Sequence, residues 1–390
     1  MRINRSTLLS MALVGGLVAT PAVMVAQATP MATPLASPVA TPVSGGFGEL
    51  RVIGVQTVAN DLTVDDPVVG GLSGIDYDAA NGVWYVLSDD RSEMDPAHFY
   101  IASLDYTSIG FDRVSIDGVT TLLQENGEPY PNEEAGGNVP DPESVRLDPQ
   151  SGTLWYTSEG NQELGIDPFI AEATADGQLI ARPTLPELFA VDPAGELGPR
   201  NNLVFEGLSF ASDGASLWLA AEGPLFQDGE VATAESGALV RLTNIDRDGN
   251  VLGQVAYELD ALPEDPEGRF GTTGVTEILA VDATRFLVIE RATVENADGV
   301  FNNFVKVYEV DLTGATDTST MTALVGEDVV PVSKRLVLDL NVVGVEPVDN
   351  IEGMAWGPAL ENGNRSLVLV SDNNFNETQV QQFIALEVAG

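Results

Sequence analysis

Residues 204–223 read VFEGLSFASDGASLWLAAEG. An apolar alternation follows Glu206, an Asp-Gly turn interrupts it, and a second apolar run ends at Glu222, 16 residues after the first acid. Period-2 alternation on both sides of a glycine turn predicts a β-hairpin. The open ends of a hairpin lie side by side, so both carboxylates are expected at one edge of it.

The pattern recurs four times, as LSGIDYDAANGVWYVLSDD (72–90), ESVRLDPQSGTLWYTSEG (143–160), TEILAVDATRFLVIERA (276–292) and IEGMAWGPALENGNRSLVLVSDNN (351–374). Each unit opens on Ser or Glu and closes on an acid: Ser73 with Asp89, Glu143 with Glu159, Glu206 with Glu222, Glu277 with Glu290, Glu352 with Asp372. The separations are 16, 16, 16, 13 and 20 residues. Two further strand-like runs follow each unit, as HFYIASLDY and DRVSIDGVTTL follow the first. After the fifth only QQFIALEVA remains, and its missing partner stands at the other end of the chain as GELRVIGVQTVA (48–59). An N-terminal strand that completes the C-terminal unit closes a ring.

The expected fold is therefore all-β, a β-propeller of five four-stranded blades closed by the N-terminal strand. A sixth, degenerate blade hidden in a long insertion is the alternative. The first strand of a blade lines the channel and the second runs antiparallel beside it. Five hairpins then place a double ring of carboxylates at one channel mouth.

Composition narrows the chemistry. The chain has 390 residues, no Cys, one His and a net charge of −42. Arg2 and Arg5, the apolar run LLSMALVGGLVA and the sequence AQA ending at Ala28 form a signal-peptide pattern over residues 1–28. An uncleaved anchor is the alternative. Residues 29–46 are a Thr/Pro/Ala-rich linker, and 47–390 are the folded domain. Removing residues 1–28 leaves 15 basic and 59 acidic residues, a net −44. Bare nucleic acid and anionic membrane are repelled by such a chain. The expected location is secreted or cell-envelope, and the expected state is monomeric without stable membrane insertion.

Several catalytic classes lack their residues. No Gly-x-Ser-x-Gly, P-loop or dinucleotide fingerprint is present. A single His cannot build a His-ligated zinc site, and His98 reads as a rim residue. NIDRDGN (244–250) resembles half of a calcium loop but lacks its closing Glu, so it reads as a hairpin turn. A cluster of unpaired carboxylates resists ionisation and needs compensation. Calcium suits an oxygen-rich, Cys- and His-poor site. Arg91 and Arg291 each directly follow a closing acid or acid pair and offer a second means.

The stretches LSGIDYD…WYVLSDD, DPESVRLDPQSGTLWYTSE, FEGLSFASDGASLWLAAEGPL, FLVIERA with FVKVYEVDL, and DNIEGMAWGP…LVLVSDNNF resemble the phytase-like family, also described as esterase-like activity of phytase, over about residues 70–390. The resemblance implies a propeller whose repeated acids act in phosphoester hydrolysis. It also matches Arg291 and Lys306 to the family's basic positions. The segments SDDRSEM and GNQELGIDPF depart from the family pattern. On this basis Glu206, Glu352, Glu143 and Glu277 are the expected catalytic acids and bases. Asp89, Glu159, Glu222, Glu290 and Asp372 are the expected Ca²⁺ ligands, and Arg91, Arg291 and Lys306 the expected contacts to a small phosphoester. A non-catalytic, calcium-stabilised binding propeller is the alternative.

Overall fold

The structure is a computed structural model and describes residues 47–389. The expected signal peptide and linker lie outside the described residues. Among the described residues no helix is long and apolar enough to cross a membrane.

Twenty strands form five four-stranded antiparallel sheets. β1 (Glu49–Val58) is the N-terminal strand. Blade 1 is β2 (Leu72–Asp78), β3 (Val83–Ser88), β4 (His98–Thr107) and β5 (Gly110–Thr121). Blade 2 is β6 (Pro142–Leu147), β7 (Leu154–Ser158), β8 (Phe169–Ala173) and β9 (Leu179–Ala181). Blade 3 is β10 (Phe205–Phe210), β11 (Leu217–Ala221), β12 (Leu239–Ile245) and β13 (Val251–Glu258). Blade 4 is β14 (Gly271–Ala280), β15 (Arg285–Glu295), β16 (Phe301–Asp311) and β17 (Ser333–Asp339). β18 (Asn350–Trp356), β19 (Arg365–Asp372) and β20 (Gln381–Ala389) form blade 5, and β1 pairs with β20 as its outer strand. The inner strands β2, β6, β10, β14 and β18 each pack on the next, and β18 on β2. The result is a five-bladed propeller closed by its N-terminal strand, with no sixth blade among the described residues.

Both faces of each blade are covered by neighbours, so the second strands read as continuous apolar runs instead of alternating ones. In β3, Trp84 and Val86 enter the core shared with blade 5, while Tyr85 and Leu87 enter the core shared with blade 2. In β15, Leu287 and Ile289 face blade 5, and Phe286 and Val288 face blade 3. Each such side chain contributes about 1.5–3 kcal/mol on burial.

The inner strands approach one another closely. An added Cβ on Gly207 would lie 3.0 Å from the Ile278 nitrogen, and one on Gly353 2.8 Å from the Ser73 carbonyl oxygen. Residues lacking a side chain at these positions let the ring close. NIDRDGN is the β12–β13 turn, with the Asp246 carboxylate accepting from the Asp248 and Asn250 amides at 2.9 Å each.

Candidate functional site

Every inner hairpin carries a register shift at the same level. The extra residue is Ser73 in β2, Glu206 in β10, Thr276 in β14 and Glu352 in β18. In β6 the shift spans Glu143 and Ser144. A β-bulge re-aims the side chain that it carries, and here it marks the inner ring position of each blade.

The partner strands define the second ring position. Asp89, Glu159, Glu222 and Asp372 each occupy it, one residue beyond a paired Ser88, Ser158, Ala221 and Ser371. Blade 4 departs from the expectation by one residue. Val275 pairs with Glu290, so Thr276 and Arg291 take the positions expected for Glu277 and Glu290. The bulge in β14 falls at Thr276, and its extra residue moves both acids out of the ring.

Glu277 instead takes the level where other blades carry Gly74, Gly207 and Gly353, inside the channel. There it is fully buried and pairs with Arg146 at 2.7 Å. Its carboxylate accepts from the Leu208 amide at 3.1 Å and the Ser144 hydroxyl at 3.0 Å. The Arg146 guanidinium donates to the carbonyls of Ile75, Val145, Ile278 and Met354. This ion pair touches all five inner strands and forms a floor beneath the ring.

Glu290 and Lys306 form a separate cluster. Glu290 accepts from Tyr257 at 2.8 Å and from Lys334 at 3.0 Å, and Lys306 bonds Asp260 at 3.1 Å. A cavity of about 150 Å³ lies against Glu290, Lys306, Asp339 and Phe304. His98 also departs from its expected place: it is buried beside Tyr100, with Nε2 2.7 Å from the phenol oxygen.

The remaining expected residues come together. The oxygens of Asp141, Glu143 and Glu159 lie within 4.8 Å of one another, as do those of Glu159, Glu206 and Glu222. Arg91 bonds Asp141 at 2.6 Å, and Arg291 bonds Glu222 at 2.9 Å. On one side of the mouth five carboxylates thus run between Arg91 and Arg291. Arg291 also pairs with Glu352 and Asn350, and Asn350 donates to Asp372 at 3.0 Å.

Sequence reasoning missed Asp141 and Asn350. Each stands two residues before a ring glutamate, in DPE and NIE, so a polar residue at a matched offset was the available signal. Gly71 and Gly274 take the same position in blades 1 and 4. A Cβ on Gly274 would overlap the Glu222 side chain, and one on Gly71 would overlap Asp89. Gly71 also has φ +63°, which a side chain disfavours.

Burial, followed by the neighbouring carboxylates, pushes Asp89, Glu143, Glu159 and Glu206 well above their ordinary range. Burial raises Asp141 to about 7 against the pull of Arg91, and Glu222 to about 7 against that of Arg291. Asp372 rises to about 8 through burial and Glu352. For Arg291 burial acts against the cation, and Glu352, Glu222 and Glu206 outweigh it, so the guanidinium stays charged.

The donor set fits a hard divalent cation. All the side chains are carboxylates, and Asp89 Oδ1 and Glu159 Oε2 are buried without a hydrogen-bond partner. Buried polar atoms are otherwise almost always satisfied. Calcium–oxygen distances of about 2.3–2.6 Å allow ligands up to about 4.6–5.2 Å apart, and each trio lies within 4.8 Å.

Searched against curated protein sequences, the chain has no match. Among solved structures it is similar to the catalytic domain of a Coprinopsis cinerea GH62 α-L-arabinofuranosidase, at 9% identity and TM-score 0.42, covering 87% of this chain and 97% of that one. It is also similar to the mannose phosphorylase MPT-4 from Leishmania mexicana, solved with a phosphate ion, at 10% identity and TM-score 0.42, covering 86% and 88%. The family model described as phytase-like, esterase-like activity of phytase, matches residues 67–375. With that match spanning all five inner hairpins, the chain belongs to the phytase-like family.

Proposed function

We propose that this protein is an exported, metal-dependent hydrolase of phosphate mono- or diesters, acting at the acidic channel mouth. The observation that carries the reading is the run Asp141–Glu143–Glu159–Glu206–Glu222, compact, buried, and holding an oxygen without a partner. Asp141, Glu143, Glu159, Glu206 and Glu222 would hold the cation. A divalent cation supplies polarisation of a phosphoryl oxygen and a bound water of lowered pKa.

The chain's own residues divide the remaining work. Arg91 and Arg291 fix the end carboxylates and balance part of the charge. Glu143, Glu159 and Glu206 have no ion pair among the described residues, and of these Glu206 is assigned to take a proton. The Arg146–Glu277 pair lies beneath the ring and bonds the inner strands there. Export rests on the signal pattern of residues 1–28, and a single-chain enzyme with a small phosphoester substrate is the form proposed.

The test is hydrolysis of p-nitrophenyl phosphate, bis-p-nitrophenyl phosphate and p-nitrophenyl acetate, with calcium or with chelator, by the mature protein and by Glu206→Gln. Calcium-dependent turnover of a phosphate ester, lost in the variant, supports the reading. Turnover of the acetate alone makes the protein a carboxylester hydrolase. A second reading, a calcium-stabilised binding propeller, is favoured by Phe270 and Phe301. These rings lie 5.8 Å apart, half-exposed, where blade 4 rises beyond the ring level. No turnover on any ester, with calcium still raising the melting temperature, selects it.

A further inference from the structure

We infer that the channel mouth binds two divalent cations side by side, with Glu159 as the ligand common to both. The inference rests on the metal-dependent reading above and adds the number of ions and the bridging residue.

The two carboxylate trios are distinct sets that share one member. Asp141 and Glu143 complete one, and Glu206 and Glu222 complete the other. Each spans one ion's ligand shell, whereas the five together extend beyond a single shell. Glu159 lies where the sets meet, and its two oxygens differ. Oε1 accepts the backbone amide of Val204, the residue preceding β10. Oε2 is buried and has no donor. The carboxylate is thus oriented by one oxygen, and the other is left without a donor. Amide hydrogen bonds of this kind fix the orientation of metal ligands.

Charge balance points the same way. The mouth gathers Asp89, Asp141, Glu143, Glu159, Glu206, Glu222, Glu352 and Asp372 against Arg91 and Arg291. With every carboxylate ionised, eight negative charges exceed the two guanidinium charges by six. One divalent ion offsets a third of that excess and two offset two-thirds. The arginines sit at the outer ends, on Asp141 and Glu222. Glu143, Glu159 and Glu206, between them, have no ion pair among the described residues; Asp89 and Asp372 lack one too but belong to neither trio, so the ions are placed between the arginines. Paired ions held by these residues would stabilise both the attacking and the leaving oxygen of a displacement.

The experiment is titration of the chelated mature protein with Mn²⁺ as the probe, followed by electron paramagnetic resonance and by equilibrium dialysis. Two tightly held ions per chain with an exchange-coupled spectrum are expected. In Glu159→Gln the coupling should vanish and the stoichiometry should fall from two to one or none. Should that variant fail to fold, Asp141→Asn and Glu206→Gln each remove a ligand from one set only. Each should then retain one uncoupled ion. Asp112→Asn, an exposed acid on β5, should keep two coupled ions. A single uncoupled ion in the unsubstituted protein overturns the shared site and leaves a one-metal hydrolase standing. No tightly held ion overturns both.

Discussion

Removing divalent cations should make the fold less stable as pH rises, and the size of the effect follows from the ring. In the unfolded chain Glu222 releases its proton near the ordinary 4.5, whereas burial holds it in the folded chain to about 7. Between those values the folded state binds more protons. Each further step upward in pH therefore favours unfolding. The stability tied to this group is full below about 4.5 and is lost as pH rises through about 7. One pKa step is ~1.4 kcal/mol, so Glu222 alone accounts for something on the order of 3 kcal/mol. With an unfolding entropy of about 2 cal/mol/K per residue, that is a melting shift of roughly 4 °C for this ring. Asp141 and Asp372, held to about 7 and about 8, act in the same direction. A bound cation requires the ionised carboxylates, so its stabilisation grows over the same window. The assay is thermal unfolding from pH 5 to pH 8.5 in chelator and in calcium. The gap between the two melting curves should widen with pH. Glu206→Gln with Glu222→Gln should flatten the chelator curve, and the slope that remains belongs to surface repulsion. A gap that is constant or narrows towards alkaline pH would refute the reasoning.

Three other expectations follow from the packing. Arg291→Met strips Glu222 and Glu352 of their guanidinium and should cost about 3–5 kcal/mol in chelator, read by urea unfolding; a loss below about 1 kcal/mol would show that protons compensate fully. Arg241→Met breaks the fully buried pair with Asp228 in blade 3 and should cost a similar ~3–5 kcal/mol. Because that pair bonds no ring carboxylate among the described residues, the calcium-induced melting shift should be unchanged. Gly207→Ala sets a methyl 3.0 Å from both the Ile278 nitrogen and the Ala220 Cβ and should cost about 1–3 kcal/mol; an unchanged urea midpoint would mean that the inner strands can separate without loss.

The blade repeat was legible because both faces of every blade are buried. That condition writes apolar runs such as VWYVL and FLVIE into each second strand and glycine turns between them. The ring closure was legible for a related reason: QQFIALEVA has no following partner in sequence, and GELRVIGVQTVA has no preceding one. The register within each hairpin was not. A bulge is a local choice of which residue to leave unpaired, made by packing between inner strands, and it leaves little trace in hydropathy. In TEILAVDATRFLVIERA the acids Glu277 and Glu290 fit the repeat by residue type, and only their 13-residue spacing argued against them. Thr276 and Arg291, 15 apart, fit the spacing better and the expected chemistry worse.

That misfit explains the arrangement of the site. Five equivalent blades with acids at every ring position would leave up to ten carboxyl groups and no internal cation. Blade 1 supplies Ser73 in place of one acid, and blade 4 supplies Thr276 and Arg291 in place of two. Arg291 neutralises the side of the mouth formed by Glu222 and Glu352, while Arg91 engages Asp141. Of the carboxylates without ion pairs, Glu143, Glu159 and Glu206 stand together on blades 2 and 3, while Asp89 and Asp372 join neither trio. Departure from the fivefold repeat is what turns an evenly charged ring into one with cations on blades 1 and 4 and a cluster of unpaired acids on blades 2 and 3.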